Sequence, residues 1–150
     1  MTPESEKLNK RRMIPPWNMF DFGSDGRSEG EQFGQNDKGL VSYDRKTKKD
    51  AFFFYKAHWN PEPMVYITSR RYTPRPGGPT SVKVYANCES VELSVNGKTL
   101  GKKSGSNKTF QWDDFVLSSG RNSVSVVGTK GKLQIKDSCE WTVLPEGATK

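Results

Sequence analysis

Cysteine and histidine are nearly absent from this sequence, and so is any long apolar run. Two cysteines in 150 residues, Cys88 and Cys139, are too few for a disulfide-dense secreted scaffold. The single histidine, His58, has no second histidine for a metal site and no Ser or Cys motif beside it, and it is expected as a packing residue in a helix. No metal is therefore assigned, and nothing calls for a cofactor. No stretch approaches the roughly 20 apolar residues that a membrane helix needs, so no membrane span is expected. Residues Met1 to Met13 are polar and charged, without the apolar core of a signal peptide. They read as a disordered or non-native leader, residues 1–13, and the compartment stays unassigned.

Charge points to no particular partner either. The 24 Lys and Arg against 17 Asp and Glu give a net +7, yet the basic residues are spread along the chain with no run longer than Lys10-Arg11-Arg12. Basic residues bind nucleic acid when they cluster on one face, so no nucleic acid is expected. With 32% apolar residues the core must be modest: one domain, or a small domain with an appendage.

What is present changes character near Asn60. Trp17, Met19, Phe20 and Phe22 are apolar on both faces of an extended run, the pattern of a strand buried on both sides. Gly23 to Gly39 is a polar, Gly-rich loop, long enough to be functional or disordered. From about Thr47 to Trp59 the residues favour a helix ended by Pro61 and Pro63, with Phe52, Phe53, Phe54, Tyr55 and Trp59 on more than one face. Burying one such aromatic contributes roughly 1.5 to 3 kcal/mol. Both sides of this helix therefore expect partners.

After Pro63 the period becomes two. Met64 to Ser69 is the first strand; Val82, Val84, Ala86 and Cys88 alternate with Lys83, Tyr85 and Asn87, and Val91, Leu93 and Val95 alternate with Glu92 and Ser94. Asn96-Gly97 is a hairpin signal, Ser119-Gly120 and Lys130-Gly131 mark further turns, and Phe110, Trp112, Phe115 and Leu117 precede a last run through Leu133, Ile135, Cys139, Trp141 and Val143. Some seven short strands at this spacing predict a mostly β fold, an immunoglobulin-like antiparallel β-sandwich over residues 63–145. Cys88 and Cys139 fall on inward-facing positions and are expected as two free thiols, with an inter-sheet disulfide of immunoglobulin type as the other reading. Tyr66, Tyr72 and Tyr85 are expected in cross-strand packing, with glycan contact as the other reading. The boundary is expected at Asn60 to Pro63, with residues 146–150 a tail.

The first third resembles the end of the catalytic barrel of glycoside hydrolase family 2, the β-galactosidase and β-glucuronidase family. The resemblance rests on Trp17 to Phe22 as the eighth barrel strand, Asn36 to Arg45 as the loop and turn before the last helix, and Lys49 to Trp59 as that helix. The segment Val82 to Cys88, followed by Val91 to Lys98, is similar to the immunoglobulin-like domain that follows the barrel. The resemblance implies that residues 14–60 are a strand-loop-helix remnant of a (β/α)8 barrel ahead of the sandwich. The chain is then a C-terminal fragment of a glycosidase, its partners being the rest of that barrel and a β-linked glycoside, with a galactoside favoured. Many relatives with this domain order are exported, which leaves a periplasmic or secreted parent open.

Within that resemblance Trp17 is implied as the aromatic floor of the sugar subsite, since a sugar C–H face stacks on an indole and barrel sites lie at C-terminal strand ends. Asn36-Asp37-Lys38 coincides with the Asn-x-Lys pattern by which β-glucuronidases grip the sugar carboxylate, which gives the alternative parent; Lys38 is a chemically sound partner for it. Asp21 and Asp37 are weaker candidates for substrate contact. A retaining glycosidase needs two carboxyl groups about 5 to 5.5 Å apart, and the family supplies them as strand-end glutamates, the first preceded by Asn. No Asn-Glu pair occurs in the chain, so no catalytic residue is assigned and the chain alone is expected to be inactive. A further alternative is a stand-alone sandwich acting as a spacer or glycan-contact module.

Overall fold

The computed structural model describes residues 18–26 and 33–145, which form two compact units dividing between Thr47 and Lys48. Trp17, the leader and the tail lie outside the described residues.

The first unit is small. β1 (Phe22–Gly23) pairs antiparallel with β2 (Gln35–Asn36), and Phe20 forms an isolated parallel bridge with Val41. The described part of the run Trp17 to Phe22, expected as a strand with two apolar faces, finds only short pairings here, and this chain covers neither face fully. Met19 is 50% exposed, Phe20 39% and Phe22 37%, because the segment meets only a two-residue ladder and one bridge. Burial instead falls on Asn36, Leu40 and Val41.

The second unit begins with the helix α1 (Asp50–Trp59), followed by seven strands: β3 (Val65–Ile67), β4 (Pro79–Ala86), β5 (Ser90–Val95), β6 (Lys98–Ser104), β7 (Thr109–Val116), β8 (Gly120–Lys130) and β9 (Leu133–Val143). They form two antiparallel sheets, ordered β3-β4-β7 and β6-β5-β8-β9. The apolar alternation faces the space between them. Val82, Val84 and Ala86 meet Val91, Leu93, Phe110, Trp112, Val124, Val126 and Trp141, all essentially closed to solvent. This is the expected sandwich, with one core between two inner faces.

Irregularities follow the sequence. Asn96 and Gly97, both at positive φ, make the tight β5–β6 hairpin that Asn-Gly signals. In β7 the apolar spacing jumps from Trp112 to Phe115, and a register shift opposite Thr80 and Val82 absorbs the odd step, with Asp114 at φ 59°. Phe115 then packs partly on the core and Leu117 is buried. Cys88 is buried, Cys139 is half-buried against the core, and both are free thiols that burial pushes up in pKa.

Three buried polar residues hold the ends of the sandwich. Asn122, wholly buried, donates to Ser118 O and Gly120 O and accepts from Ser118 N and Asn96 Nδ2, so one amide ties two turns together. Asn87 accepts from Met64 N and donates to Asn60 O and Glu62 O, fixing the chain where it leaves α1. Arg75 joins the edge of β9 through Thr142 O and Leu144 N, and its guanidinium lies 3.5 Å from the centre of the Trp141 ring.

The helix belongs to this second unit rather than to the segment before it. Phe53 stacks on Tyr66 at 3.6 Å between ring centres, Phe54 meets Tyr85 edge-on at 5.4 Å, and the Asp50 carboxylate accepts from Tyr66 Oη and Ser69 N. Sequence periodicity placed partners on both sides of the helix; the outer face of β3 and β4 supplies one of them.

Candidate functional site

The residues singled out in the sequence are gathered by the loop of the first unit. Its two ends are stitched to the same short segment. At one end Phe22 pairs with Asn36 and Ser24 N donates to Gly34 O at 2.9 Å. At the other, Asp21 N donates to Val41 O and Val41 N to Met19 O, both at 2.9 Å. Between them stands the turn Asn36-Asp37-Lys38-Gly39.

Asn36 is 3% exposed, and its side-chain oxygen accepts the Lys38 amide at 3.1 Å, the Asx turn to which asparagine is suited. Asp37 and Lys38 are exposed at the tip of the turn. Gly39 is buried, and its amide donates to Asp21 Oδ1 at 2.9 Å. Asn36, Asp37 and Lys38 therefore share one turn, and Asp21 is hydrogen-bonded to its last residue. Trp17 lies outside the described residues.

The next turn is a second self-contained knot. Ser42 Oγ and Lys46 N donate to the Asp44 carboxylate, Thr47 N donates to Ser42 Oγ, and Arg45, at φ 62°, places its guanidinium 4.8 Å from the Phe20 ring centre. The Ser42 hydroxyl and then the Lys46 amide hold Asp44 below the usual carboxylate range.

In the second unit, Tyr66 and Tyr85 lie under α1 and face each other across β3 and β4, as cross-strand packing requires, while Tyr72 is 58% exposed with the Arg75 guanidinium 5.2 Å from its ring. Tyr66 has its pKa pushed up to about 12, by burial first and then by its bond to Asp50 and that residue's charge. His58 differs from the expected packing residue: it is exposed on the last turn, its Nδ1 2.8 Å from Phe54 O and its ring against Phe54. Sequence reasoning missed a small polar groove of about 230 Å³ lined by Asp50, Thr68, Ser69, Ser81, Lys83 and Tyr85. No signal announces it, since those residues converge only when α1 docks on the sheet. Among the described residues, no group of three or more His, Cys, Asp or Glu side chains gathers as a metal site.

Sheet order, core and loop define the class first: a mostly β chain carrying an antiparallel sandwich behind a helix and an Asn-x-Lys turn. Residues 77–135 match a family described as a domain of unknown function, DUF4982. The chain is 45% identical over 123 residues to a β-glucuronidase of Bacteroides fragilis, covering 81% of this chain and 18% of the relative. Among solved structures it is similar to an FMN-binding β-glucuronidase from Facaelibacterium prausnitzii, at TM-score 0.77 and 44% identity over 85% of this chain and 19% of that one. A Bacteroides fragilis structure with the provisional name β-galactosidase gives TM-score 0.78 and 37% identity over the same shares, 85% and 19%. The chain thus spans under a fifth of the length of these relatives. It belongs, as a segment, to the glycoside hydrolase family 2 type that its sequence resembles.

Proposed function

We propose that this segment serves a retaining β-glucuronidase, in which the Asn36–Gly39 turn presents Lys38 to the carboxylate of the substrate sugar. The observation that carries the reading is the division of labour in the turn. The buried Asn36 side-chain oxygen is spent on the Lys38 amide, while the Lys38 side chain stands at the exposed tip. A lysine ammonium placed by its own backbone in this way can meet a carboxylate with a charge-assisted hydrogen bond. A neutral galactoside offers that ammonium no charge to pair with.

The sequence favoured a β-galactosidase-like parent. Two of the three relatives above are named β-glucuronidase, and the turn supplies the cation that a uronic acid calls for, so the glucuronide reading is the better supported. In it Trp17 remains the stacking floor of the sugar subsite, Trp17 to Trp59 contribute to a barrel, and Met64 to Leu144 form the sandwich that follows in the chain. The acid/base and nucleophile carboxylates come from elsewhere in the protein, and the 150-residue chain by itself hydrolyses neither substrate.

The test is Lys38→Ala in the full-length protein that carries this segment, assayed on 4-nitrophenyl β-glucuronide and β-galactoside. Loss of a charge-assisted contact is expected to lower kcat/KM on the glucuronide by about 10- to 100-fold. The galactoside rate should stay within about threefold. An unchanged ratio of the two rates would remove Lys38 from the sugar site.

A further inference from the structure

Asp21 stands among the lesser candidates for sugar contact. We infer instead that it is a positioning residue: through the Gly39 amide, its carboxylate holds the turn that presents Lys38. The inference rests on the glucuronide reading above, and it concerns what makes that turn rigid enough to discriminate.

The geometry is specific. Asp21 Oδ1 accepts the Gly39 amide across 18 positions of sequence at 2.9 Å. The Asp21 backbone takes part as well, its own amide donating to Val41 O. Asp21 therefore grips the far side of the turn at two points, one on each side of Leu40. The near side is held by the Phe22–Asn36 pairing and by the Asn36 bond to the Lys38 amide. Lys38 lies between the anchored Asn36 and Gly39.

The approach is so close that it dictates the residue at position 39. A Cβ on Gly39 would stand 2.3 Å from Asp21 N and from Phe20 C, and 2.8 Å from Asp21 Oδ1. Backbone atoms cannot yield that distance without the bridge between Phe20 and Val41 opening. Glycine at 39 and aspartate at 21 thus form one device: the missing side chain lets the amide reach the carboxylate.

Charge decides between the two roles for Asp21. A carboxylate set beside the sugar carboxylate would repel it, whereas one committed to a backbone amide makes a strong charge-assisted bond that organises the loop. Asp21 therefore acts on substrate through Lys38. A displaced Lys38 weakens ground-state and transition-state binding alike, which raises KM and leaves kcat in place.

Asp21→Ala, Asp21→Asn, Gly39→Ala, Lys38→Ala and the Lys38→Ala/Asp21→Ala double variant test this in the full-length protein on 4-nitrophenyl β-glucuronide. Asp21→Ala and Gly39→Ala should each raise KM by about tenfold with kcat within twofold. Asp21→Asn, whose amide oxygen still accepts, should recover most of that loss. In the Lys38→Ala background, Asp21→Ala should add nothing further. A fall in kcat at constant KM, or full additivity with Lys38→Ala, overturns the assignment. Should Lys38→Ala itself leave hydrolysis unchanged, the glucuronide reading fails, and amide exchange in the 150-residue chain then judges Asp21 separately. Gly39 deprotected by Asp21→Ala upholds its hold on the turn; Gly39 unaltered ends it.

Discussion

The two units solve the problem of holding a chain in opposite ways. In the sandwich, Val82, Val84, Val91, Leu93 and Val124 are 0% exposed, and side chains bury one another. In the loop unit Phe33 is 85% exposed, Tyr43 54% and Met19 50%, and shape comes from side chains gripping backbone: Asn36 on Lys38, Asp21 on Gly39, Asp44 on Lys46, Ser42 on Thr47. A core supplies stability without regard to which backbone atom sits where. Polar clamps supply little stability and fix individual atoms, which is what a recognition turn needs.

The sharpest way to break this comparison is to remove one aromatic side chain from each unit, buried in the sandwich and exposed in the loop unit. Trp141 is 1% exposed and lies under the Arg75 guanidinium, so Trp141→Ala creates a large cavity and strands a buried cation. It should cost about 3 to 5 kcal/mol in urea unfolding of the chain. Phe33→Ser, at an exposed position of the loop unit, should change the same transition by less than about 0.5 kcal/mol. Equal losses would mean that the loop unit contributes to a common core.

A smaller effect tests whether polar clamps matter inside the sandwich too. Asn122→Ala leaves the Ser118 amide and the Ser118 and Gly120 carbonyls without their side-chain partner in a closed environment. The expected loss is about 1 to 3 kcal/mol, with the Asn96–Gly97 hairpin losing amide protection first because Asn96 Nδ2 loses its acceptor. A loss spread evenly over all strands would mean that the amide serves the core as a whole rather than the two turns.

The same contrast explains what could be read from sequence. The alternations at Val82 to Ala86 and Val91 to Val95, and the Asn96-Gly97 turn, are local patterns, and the strands follow them. Even the skip from Trp112 to Phe115 is written in the sequence, though only pairing with β4 shows it to be a bulge. The docking of α1 is not local: Phe53 meets Tyr66, and Asp50 meets Ser69, only after the sheet has formed. Its aromatic faces therefore read as waiting for a barrel on both sides. The candidate turn was visible as residue types, Asn36 and Lys38 among them. What was not visible is that Asn36 is spent on backbone and that Asp21 answers Gly39, because a hydrogen bond across a polar loop leaves no periodicity behind.

The smallest expected effect concerns the joint between helix and sandwich, where both strategies meet. Tyr66 is stacked under Phe53 and its hydroxyl donates to Asp50 at 2.9 Å. Its pKa is pushed up to about 12, against about 10 in an unfolded chain. A folded pKa above the unfolded one means that the bond stabilises the protein fully below pH of about 10, and that this contribution fades as pH rises through about 12. Ionised Tyr66 would face the Asp50 carboxylate with like charge and could donate nothing to it. Spectrophotometric titration at the tyrosinate band should therefore show a tyrosine titrating near 12 that disappears in Tyr66→Phe, while Tyr85, which burial also pushes up, still titrates late. Asp50→Asn should move it back toward the ordinary range. Tyr66→Phe keeps the stacked ring and loses only the hydroxyl, so about 1 kcal/mol or less of stability should go with it at neutral pH. If Tyr66→Phe also exposes Phe53 to solvent, the helix is held by its polar clamp; if the stack survives, the aromatic faces hold it and the clamp only sets its register.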